Sequence, residues 1–498
     1  MSTLTATPEK SAPTPAPSMR GYWLRWAVLG ILALIAFHNP FLRSAEYIRD
    51  GTAVYSLTSL IIVVVLLFTI DRRRTRELPI HDREVDYIVG IISLVVAVTM
   101  MWQLVPRFAD WFSLLRLDLL ATYIWFFGAS ALLFGTRSTL RFGPAWLVLI
   151  FLNAPLYQLL WLLLGGDWFG AAFTTVCFLA ISISTCIGGT WRRKLLAGVL
   201  ILGYGLILCV TIERIWPEQP LSTTQLPGVL AVLLGAGSRV LMNRGERTRR
   251  TLLRRREPTV KQVRWAMVLL SCSALIMGTV QLPERVAEVA VAGPSTSSGS
   301  GVAVPANWEE IGREEYFWAE NFFGPGATLT RQELRAENYV PKWDPDGRHR
   351  EVVVDTLRGD NTYRRRLFGD ETLYSTINGR VSETQQVYLG YGVHGNLYTV
   401  LDEDKFLTST RLNFIWTRED GVAKYVSVIA VDDHREKAPF PEVNRSLTEL
   451  LGRLLTIFFR GNAVTQDETP RIKDQDLVTV LSRGLVEQAW KDHDAATG

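Results

Sequence analysis

The chain up to residue 283 is a succession of long apolar runs separated by short polar loops. A helix needs about 20 mostly apolar residues to cross the hydrocarbon core of a bilayer. Runs of this kind predict nine transmembrane helices, at residues 22–39, 53–70, 87–106, 118–135, 144–164, 168–188, 195–213, 227–242 and 263–282. The sequence therefore predicts a polytopic α-helical membrane domain over residues 20–283, because backbone polar groups in lipid must be bonded within the chain.

Basic residues are distributed unevenly among the loops between these runs. The loops after the second, fourth, sixth and eighth runs contain clusters of Arg and Lys, the densest being NRGERTRRTLLRRREPTVKQVR at 243–264. The alternate loops contain few. Because cytoplasmic loops hold an excess of Lys and Arg, we predict a bacterial inner-membrane protein with a cytoplasmic N-terminus and an extracytoplasmic C-terminal domain. Basic clusters in such loops indicate topology and not nucleic-acid binding, which needs a basic face on a folded domain.

The remaining segments are predicted to be a tail, a linker and a soluble domain. Residues 1–19 are rich in Pro, Ala, Ser and Thr, which is typical of a disordered cytoplasmic tail, and residues 284–306 contain GPSTSSGSG, which is typical of a flexible linker. Residues 307–498 contain strand patterns at 350–357, 384–393, 407–417 and 424–431, and helix patterns at 442–460 and 474–491. This order predicts an α+β domain with an antiparallel sheet. The aromatic segment EEYFWAENFFG at 314–324 predicts core or a membrane-facing stretch.

No metal or cofactor site is predicted. The chain has four cysteines, all in or beside apolar runs: Cys177, Cys186, Cys209 and Cys272. They form neither a disulfide framework nor a pair with metal-ligand spacing. His394 in an HGN turn and the DDH sequence at 432–434 are interpreted as solvated turns, because nothing brings three or four ligands together.

Three stretches of the membrane domain carry a resemblance to a known family. They are AVYSLTSLIIVVVLLFTIDRRRTRELP at 53–79, GTRSTLRFGPAWLVLIFLNAPLY at 135–157 and WRRKLLAGVLILGYGLILCVTIERI at 191–215. Their succession of basic loops, prolines and aliphatic helices resembles the exosortase/archaeosortase family of membrane transpeptidases, many of which also have a C-terminal extracytoplasmic domain. The resemblance implies processing of proteins with a C-terminal sorting signal during export and exopolysaccharide production.

The family's chemistry uses a Cys nucleophile, an Arg and a His within the membrane. A thiolate attacks a peptide carbonyl, and a cation stabilises the oxyanion. Carried over to this sequence, the resemblance makes Arg214 in TIERI the cation and Cys177 and Cys186 the candidate nucleophiles. No His lies in the spans after Arg214, and the predicted topology places Cys186 at the cytoplasmic end of its span, opposite to Arg214. Whether the chain is an active cysteine transpeptidase is therefore left open.

The same residues also have simpler interpretations. A Cys in a transmembrane helix usually serves as a small apolar residue, and an Arg at a helix end is often an interfacial anchor. The leading hypothesis is an exosortase-like membrane protein of surface-protein sorting or exopolysaccharide export. The alternative is a non-catalytic scaffold of an envelope assembly whose soluble domain binds a partner or glycan. The expected partners are membrane lipids, and either proteins with C-terminal sorting signals or the envelope glycan machinery.

Overall fold

The computed structural model of this protein describes most of the chain. The described residues are 19–49, 55–73, 83–109, 111–164, 166–187, 190–216, 221–242, 260–283, 291–293, 301–324, 326–359, 373–374, 379–417, 422–435, 438–443, 455–460, 466–467 and 469–497. They form a helical part that ends at residue 283 and a sheet domain that follows it. Most of the predicted tail, together with residues 284–290 and 294–300 of the predicted linker, lies outside the described residues.

The helical part consists of apolar helices of different lengths. Its α-helices are α1 (Met19–Arg49), α2 (Tyr55–Arg73), α3 (Arg83–Thr99), α4 (Val105–Arg107), α5 (Phe112–Leu115), α6 (Leu117–Phe134), α7 (Thr136–Leu140), α8 (Gly143–Phe151), α9 (Ala154–Leu163), α10 (Trp168–Cys186), α11 (Trp191–Ile215), α12 (Leu226–Met242) and α13 (Val260–Gly278). A π-helical turn, Met100–Leu104, joins α3 to α4, and a 3-10 turn, Leu221–Gln225, precedes α12.

Among the described residues, five helices are long and apolar enough to cross a membrane. They are Trp26–Ile48, Glu84–Arg107, Phe112–Phe134, Trp168–Cys186 and Trp191–Ile215. Three shorter apolar helices, Tyr55–Asp71, Thr223–Gly235 and Arg264–Gly278, coincide with the second, eighth and ninth predicted spans. This composition identifies the chain as a membrane protein.

The fifth predicted span, residues 144–164, is a broken helix. It is divided into α8 and α9 because the backbone of Asn153 is extended and Pro155 occupies the first turn of α9. Proline fits the first turn of a helix, where its missing N–H is not needed, and the residue before such a turn leaves the helical region readily.

The domain after residue 283 is built on a mixed sheet. Its strands are β1 (Val291–Ala292), β2 (Trp308–Tyr316), β3 (Thr328–Ala336), β4 (Glu351–Gly359), β5 (Gly379–Ser382), β6 (Gln385–Gly390), β7 (Val393–Asp402), β8 (Leu407–Thr417), β9 (Ala423–Val431) and β10 (Gln466–Asp467). Their order is β10-β5-β7-β8-β9-β4-β3-β2, and β1 pairs with β8 and β6 with β7. The predicted antiparallel sheet is thus mixed, since β1 and β10, two residues each, pair in parallel.

The strand and helix patterns of this domain agree with the structure in part. The four predicted strand patterns fall on β4, on β6 with its turn, on β8 and on β9, and the last predicted helix is α15 (Gln475–Thr497). Of the predicted helix 442–460, residues 455–460 are helical, and residues 444–454 lie outside the described part of the chain. A short helix, α14 (Ala319–Phe323), occupies the aromatic segment. The sequence did not predict β1, β2, β3, β5, β7 and β10. Of these, the edge strand β2 is mostly exposed and β3 buries polar residues, so neither shows the pattern of a half-buried strand.

The sheet separates two hydrophobic cores, since successive side chains of a strand point to opposite faces. One face packs against α15 through residues that include Val352, Leu412, Val428, Leu477 and Leu481. The other, which we call the docking face, presents Leu329, Leu357, Ile415 and Tyr425 to Phe108, Trp111, Leu114 and Leu115 of the helical part. The sheet domain is therefore docked directly on the membrane helices. Val302, within the predicted linker, is already part of the first core.

Candidate functional site

The sequence-predicted nucleophiles and cation lie on the hairpin of α10 and α11. The two helices are antiparallel: a Cβ at Gly205 would lie 2.2 Å from Cγ1 of Val176, and a Cβ at Gly198 would lie 3.6 Å from Cβ of Ser184. This register places Arg214 at the level of the start of α10. At a rise of about 1.5 Å per residue, Cys186 lies about 27 Å and Cys177 about 14 Å from Arg214 along the helix axes.

These three side chains also differ in their surroundings. Cys186 is buried, Cys177 is half-buried, and Arg214 is exposed in the last turn of α11. A nucleophile and its catalytic partners must come within hydrogen-bond reach. The hairpin does not bring Arg214 to either cysteine, so it does not assemble the dyad that the resemblance implies. Among the described residues, no group of three or more His, Cys, Asp or Glu side chains could hold a metal ion.

A buried ion pair that the sequence did not predict lies where α5 meets α6. Arg116 donates to both carboxylate oxygens of Asp118 at 3.0 and 2.9 Å, and neither side chain is exposed. The same guanidinium donates to Ser44 Oγ at 2.7 Å and lies 4.9 Å from the ring centre of Tyr47. The sequence RLD before an apolar run was the available signal, but the predicted span began at residue 118 and left Arg116 in a loop.

Hydroxyl and amide groups form a second buried polar cluster between the membrane helices. Tyr123 donates to Ser59 Oγ at 2.5 Å, and Gln225 donates to Thr175 Oγ1 at 3.1 Å. The Tyr157 hydroxyl donates to the carbonyl of Ala171 at 3.1 Å. These bonds join α6 to α2, α9 to α10, and α10 to the turn before α12, and polar contacts of this kind hold helices together where lipid replaces water.

The docking face of the sheet contains another buried ion pair. Arg331 donates to the two oxygens of Asp355 at 2.8 and 2.7 Å, and the Tyr374 hydroxyl donates to Asp355 at 2.6 Å. Burial raises the pKa of Tyr374 well above its ordinary value, and the charge of Asp355 raises it further. Burial alone would lower the pKa of Arg331, but the hydrogen bonds and charge of Asp355 raise it overall. The guanidinium of Arg411 lies 4.6 Å from the ring centre of Tyr374.

The charged loop after β9, which the sequence suggested was a solvated turn, is paired. Arg435 donates to both oxygens of Asp433, and this lowers the pKa of Asp433 to about 2. The Nδ1 atom of His434 lies 2.9 Å from Oδ2 of the buried Asp344. These contacts tie the loop to neighbouring segments and account for its charges without a ligand.

Exposed aromatic rings surround the turn between β6 and β7. We call Tyr388, Tyr391, His394 and Trp490 the aromatic corner. The rings of Tyr388 and His394 lie 5.2 Å apart, and Tyr391 stacks on Trp490 at 5.2 Å. Tyr388 and Tyr391 are 54% and 50% exposed. Tyr391 has a φ of 49°, which is unusual for a bulky residue, and such strain is concentrated at functional sites.

Neutral amides lie beside the aromatic corner. Tyr388 pairs with His394 across the two strands, and Gln386 pairs with Asn396 two residues farther along, so the four side chains share one face. Because Leu389, Val393 and Leu397 face α15, this is the opposite face, and the Tyr391–Trp490 pair lies on the α15 side of the same edge. The prediction of a turn at His394 is wrong: His394 lies in β7, and the turn is at Tyr391 and Gly392, because the strand pairing with β6 already includes His394. The side chain is exposed, as predicted, and its Nδ1 lies 3.1 Å from the carbonyl of Gly392. The sequence did not reveal the corner because Trp490 comes from α15, far along the chain.

The described structure defines a class: a helical membrane protein with a mixed-sheet domain docked on its helices. A comparison of the chain with models of known families, with curated proteins and with solved structures found no match.

Proposed function

We propose that the protein is an exosortase-like membrane protein that acts as a non-catalytic scaffold in surface-protein sorting or exopolysaccharide export. It has nine transmembrane helices in a bacterial inner membrane, a cytoplasmic N-terminus and an extracytoplasmic sheet domain that binds a glycan. The observation that carries the proposal is the aromatic corner, two pairs of rings at one edge of the sheet whose tyrosines are exposed, on a domain docked to membrane helices.

The positions of the basic clusters support this orientation. The docking face meets the helical part where α4 ends and α6 begins. Arg137 lies in α7, just beyond the other end of α6, and Arg192 lies in the first turn of α11. Both are therefore at the end of the helical part opposite to the sheet domain. A cytoplasmic position for these arginines places the sheet domain outside.

The chemistry of the aromatic corner favours a neutral glycan as its ligand. Exposed rings offer flat apolar faces against which the C–H groups of a sugar ring can pack, and few polar groups suffice to orient a ligand. Gln386 and Asn396 can exchange hydrogen bonds with sugar hydroxyls, since an amide both donates and accepts. Neither amide carries a charge that would select an anionic polymer. Two cations lie beside the corner, and both have partners: Arg483 donates to the carbonyl of Tyr388 at 3.2 Å, and Lys491 pairs with Glu487 at 2.6 Å.

Glycan binding is tested with the full chain in nanodiscs and a series of neutral gluco- and N-acetylglucosamine oligosaccharides. We expect binding by the unaltered protein and a loss of about tenfold or more, equal to about 1.4 kcal/mol, in Tyr388→Ala and Tyr391→Ala. The control is Tyr339→Ala, a tyrosine that is 41% exposed and lies between β3 and β4. If no oligosaccharide binds, or if Tyr339→Ala weakens binding equally, glycan binding at the corner is wrong.

The absence of catalysis is tested separately in cells. Cys177→Ala and Cys186→Ala should leave the processing of proteins with C-terminal sorting signals unchanged, because the α10–α11 hairpin keeps Arg214 away from both thiols. Loss of processing in either variant, with normal amounts of protein in the membrane, would show that the chain is a transpeptidase and contradict the scaffold function.

A further inference from the structure

A short helical segment, residues 455–460, presents apolar side chains away from the protein. Leu455, Phe458 and Phe459 are 49%, 48% and 76% exposed. Their i, i+3, i+4 spacing places them on one face of a helix, and Ile457 projects from the opposite face. Ile457 is 3% exposed and belongs to the core between the sheet and the membrane helices. The segment therefore has apolar residues on both its buried and its exposed sides.

The contacts of this segment place it at the end of a membrane span. Arg107 Nε donates to the carbonyl of Ile457 at 3.0 Å. Arg107 is the last residue of the span Glu84–Arg107, and Leu104 of the same span packs against the core that contains Ile457. The exposed face of Leu455, Phe458 and Phe459 thus lies level with the end of a helix that crosses the membrane.

A second segment presents an exposed aromatic residue beside the same core. Phe317, in the turn after β2, is 72% exposed. The neighbouring Trp318 and Phe322 pack against the core that contains Ile457, and their rings contact each other at 5.7 Å. Two segments far apart in the sequence therefore expose Phe side chains near the membrane end of the sheet domain.

We propose that residues 455–460 and Phe317 form an interfacial anchor, in which these exposed apolar side chains insert into the headgroup–acyl boundary of the bilayer. Large exposed apolar groups mark a surface that another phase or partner covers. Here the covering phase is lipid, because the segment lies beside the end of a membrane span and continues the lipid-facing surface of the membrane helices. Arg460, exposed at the end of the segment, can extend its guanidinium to the lipid phosphates.

The anchor gives the sheet domain a second attachment to the membrane besides the docking face. It restrains the tilt of the domain, and hence the direction in which the aromatic corner points. The assignment depends only on membrane insertion of the chain and not on the proposed glycan binding, so each can fail without the other.

The anchor is tested by lipid quenching in proteoliposomes of the full chain. The four native cysteines are replaced by Ala, and a single cysteine introduced by Phe459→Cys or, as control, by Val480→Cys is labelled with an environment-sensitive fluorophore. Val480 is 45% exposed on α15, which covers the sheet face opposite to the docking face. Phospholipids with a nitroxide at a shallow acyl position should quench the probe at 459 on the order of threefold more than the probe at 480.

A second measurement uses the unaltered chain and so does not depend on the folding of a variant. A phospholipid with a photoactivatable acyl chain should form adducts with the peptide that contains Phe458 and Phe459, and not with the peptide that contains Val480. Equal quenching at 459 and 480 together with no lipid adduct on 455–460 would overturn the anchor. Disulfide formation between two chains that carry Phe459→Cys would assign the face to a second copy, and would also overturn it.

Discussion

At the scale of single residues, the least expected features are two buried ion pairs, Arg116–Asp118 in the membrane helices and Arg331–Asp355 in the sheet. Removing a charge from water is costly, and only good geometry with further hydrogen bonds offsets that cost. Both pairs have the bidentate arrangement that an arginine fork and a carboxylate form best. The sequence shows the charges, but whether each pair is buried, and which other groups it contacts, depends on the packing of other segments.

Tyr374 provides a prediction about pH. Its folded-state pKa is raised well above the ordinary 10.0 by burial and by Asp355, so folding keeps the phenol protonated. The stability that this contributes is fully present below about pH 10 and is lost as the pH rises further, because unfolded chains then release the proton. Urea unfolding in detergent, followed by tryptophan fluorescence, should therefore show a steep alkaline loss of stability in the sheet domain.

The Tyr374→Phe variant separates ionisation from packing. At neutral pH it should unfold more easily by about 1 to 2 kcal/mol, since it loses a hydrogen bond to a charged group. Above about pH 10 its stability should fall less steeply than that of the unaltered chain. Tyr339→Phe, on an exposed loop, should change neither quantity. An alkaline slope that persists in Tyr374→Phe would show that another group causes it.

At the scale of elements, the chain's irregularities follow from identifiable residues. The apolar run 144–164 satisfies the length of a span, but Asn153 and Pro155 divide it into α8 and α9. Apolar content is a property of composition and survives such a break, whereas helix continuity depends on single backbone positions. The missed strand β2 also has an identifiable cause. It is an edge strand and shows little alternation of buried and exposed residues, which is the pattern that predicts a strand.

The contact between α10 and α11 provides a prediction with a matched control on one helix. Gly205 is buried, and a Cβ there would lie 2.2 Å from Cγ1 of Val176, so Gly205→Ala should lower the free energy of unfolding by about 1 to 3 kcal/mol. Gly203 is exposed and has no atom within 4 Å of the Cβ position. Gly203→Ala should therefore be neutral or stabilise the helix by about 1 kcal/mol or less.

Thermal unfolding in detergent micelles measures both glycine variants under one condition. A drop in melting temperature for Gly205→Ala, with none for Gly203→Ala, is the expected result. Equal effects of the two substitutions would mean that α10 and α11 do not approach closely at Gly205, and the register that separates Arg214 from Cys177 would lose its support.

At the scale of the whole molecule, the docking of the sheet on the membrane helices provides a further prediction. Trp111 is 7% exposed and packs in the core between the two parts. Trp111→Ala should weaken docking by about 3 to 5 kcal/mol, because it removes a large buried side chain and leaves a cavity. Hydrogen exchange at the ends of β3 and β4 should then become faster, while α15 and the opposite sheet face stay protected.

Trp102→Ala is the control for this experiment. Trp102 lies in the π-helical turn before α4 and is 51% exposed, and it is not part of the core between the sheet and the helices. Its indole donates to the carbonyl of Ile276 at 3.4 Å. Its removal should leave exchange in β3 and β4 unchanged. Faster exchange in Trp102→Ala alone would place the docking contact elsewhere on the helices.

The sequence by itself determined that the chain is a membrane protein with a sheet domain after its helices, and it located β4, β8, β9 and α15. These features depend on local composition and periodicity, which neighbouring residues specify without reference to the rest of the chain. Orientation, the count of nine spans and the exosortase-like role remain proposals that the sequence suggests.

Only the tertiary structure decided which side chains meet. It separates Arg214 from Cys177 along one helical hairpin, brings Ser44 to Arg116 inside the helical part, and brings Trp490 to the turn at Tyr391. It also places Ile457 at the end of the membrane span whose last residue is Arg107. Contacts of this kind join segments that are distant in sequence, and they depend on packing and burial, whose energies no local pattern of residues records.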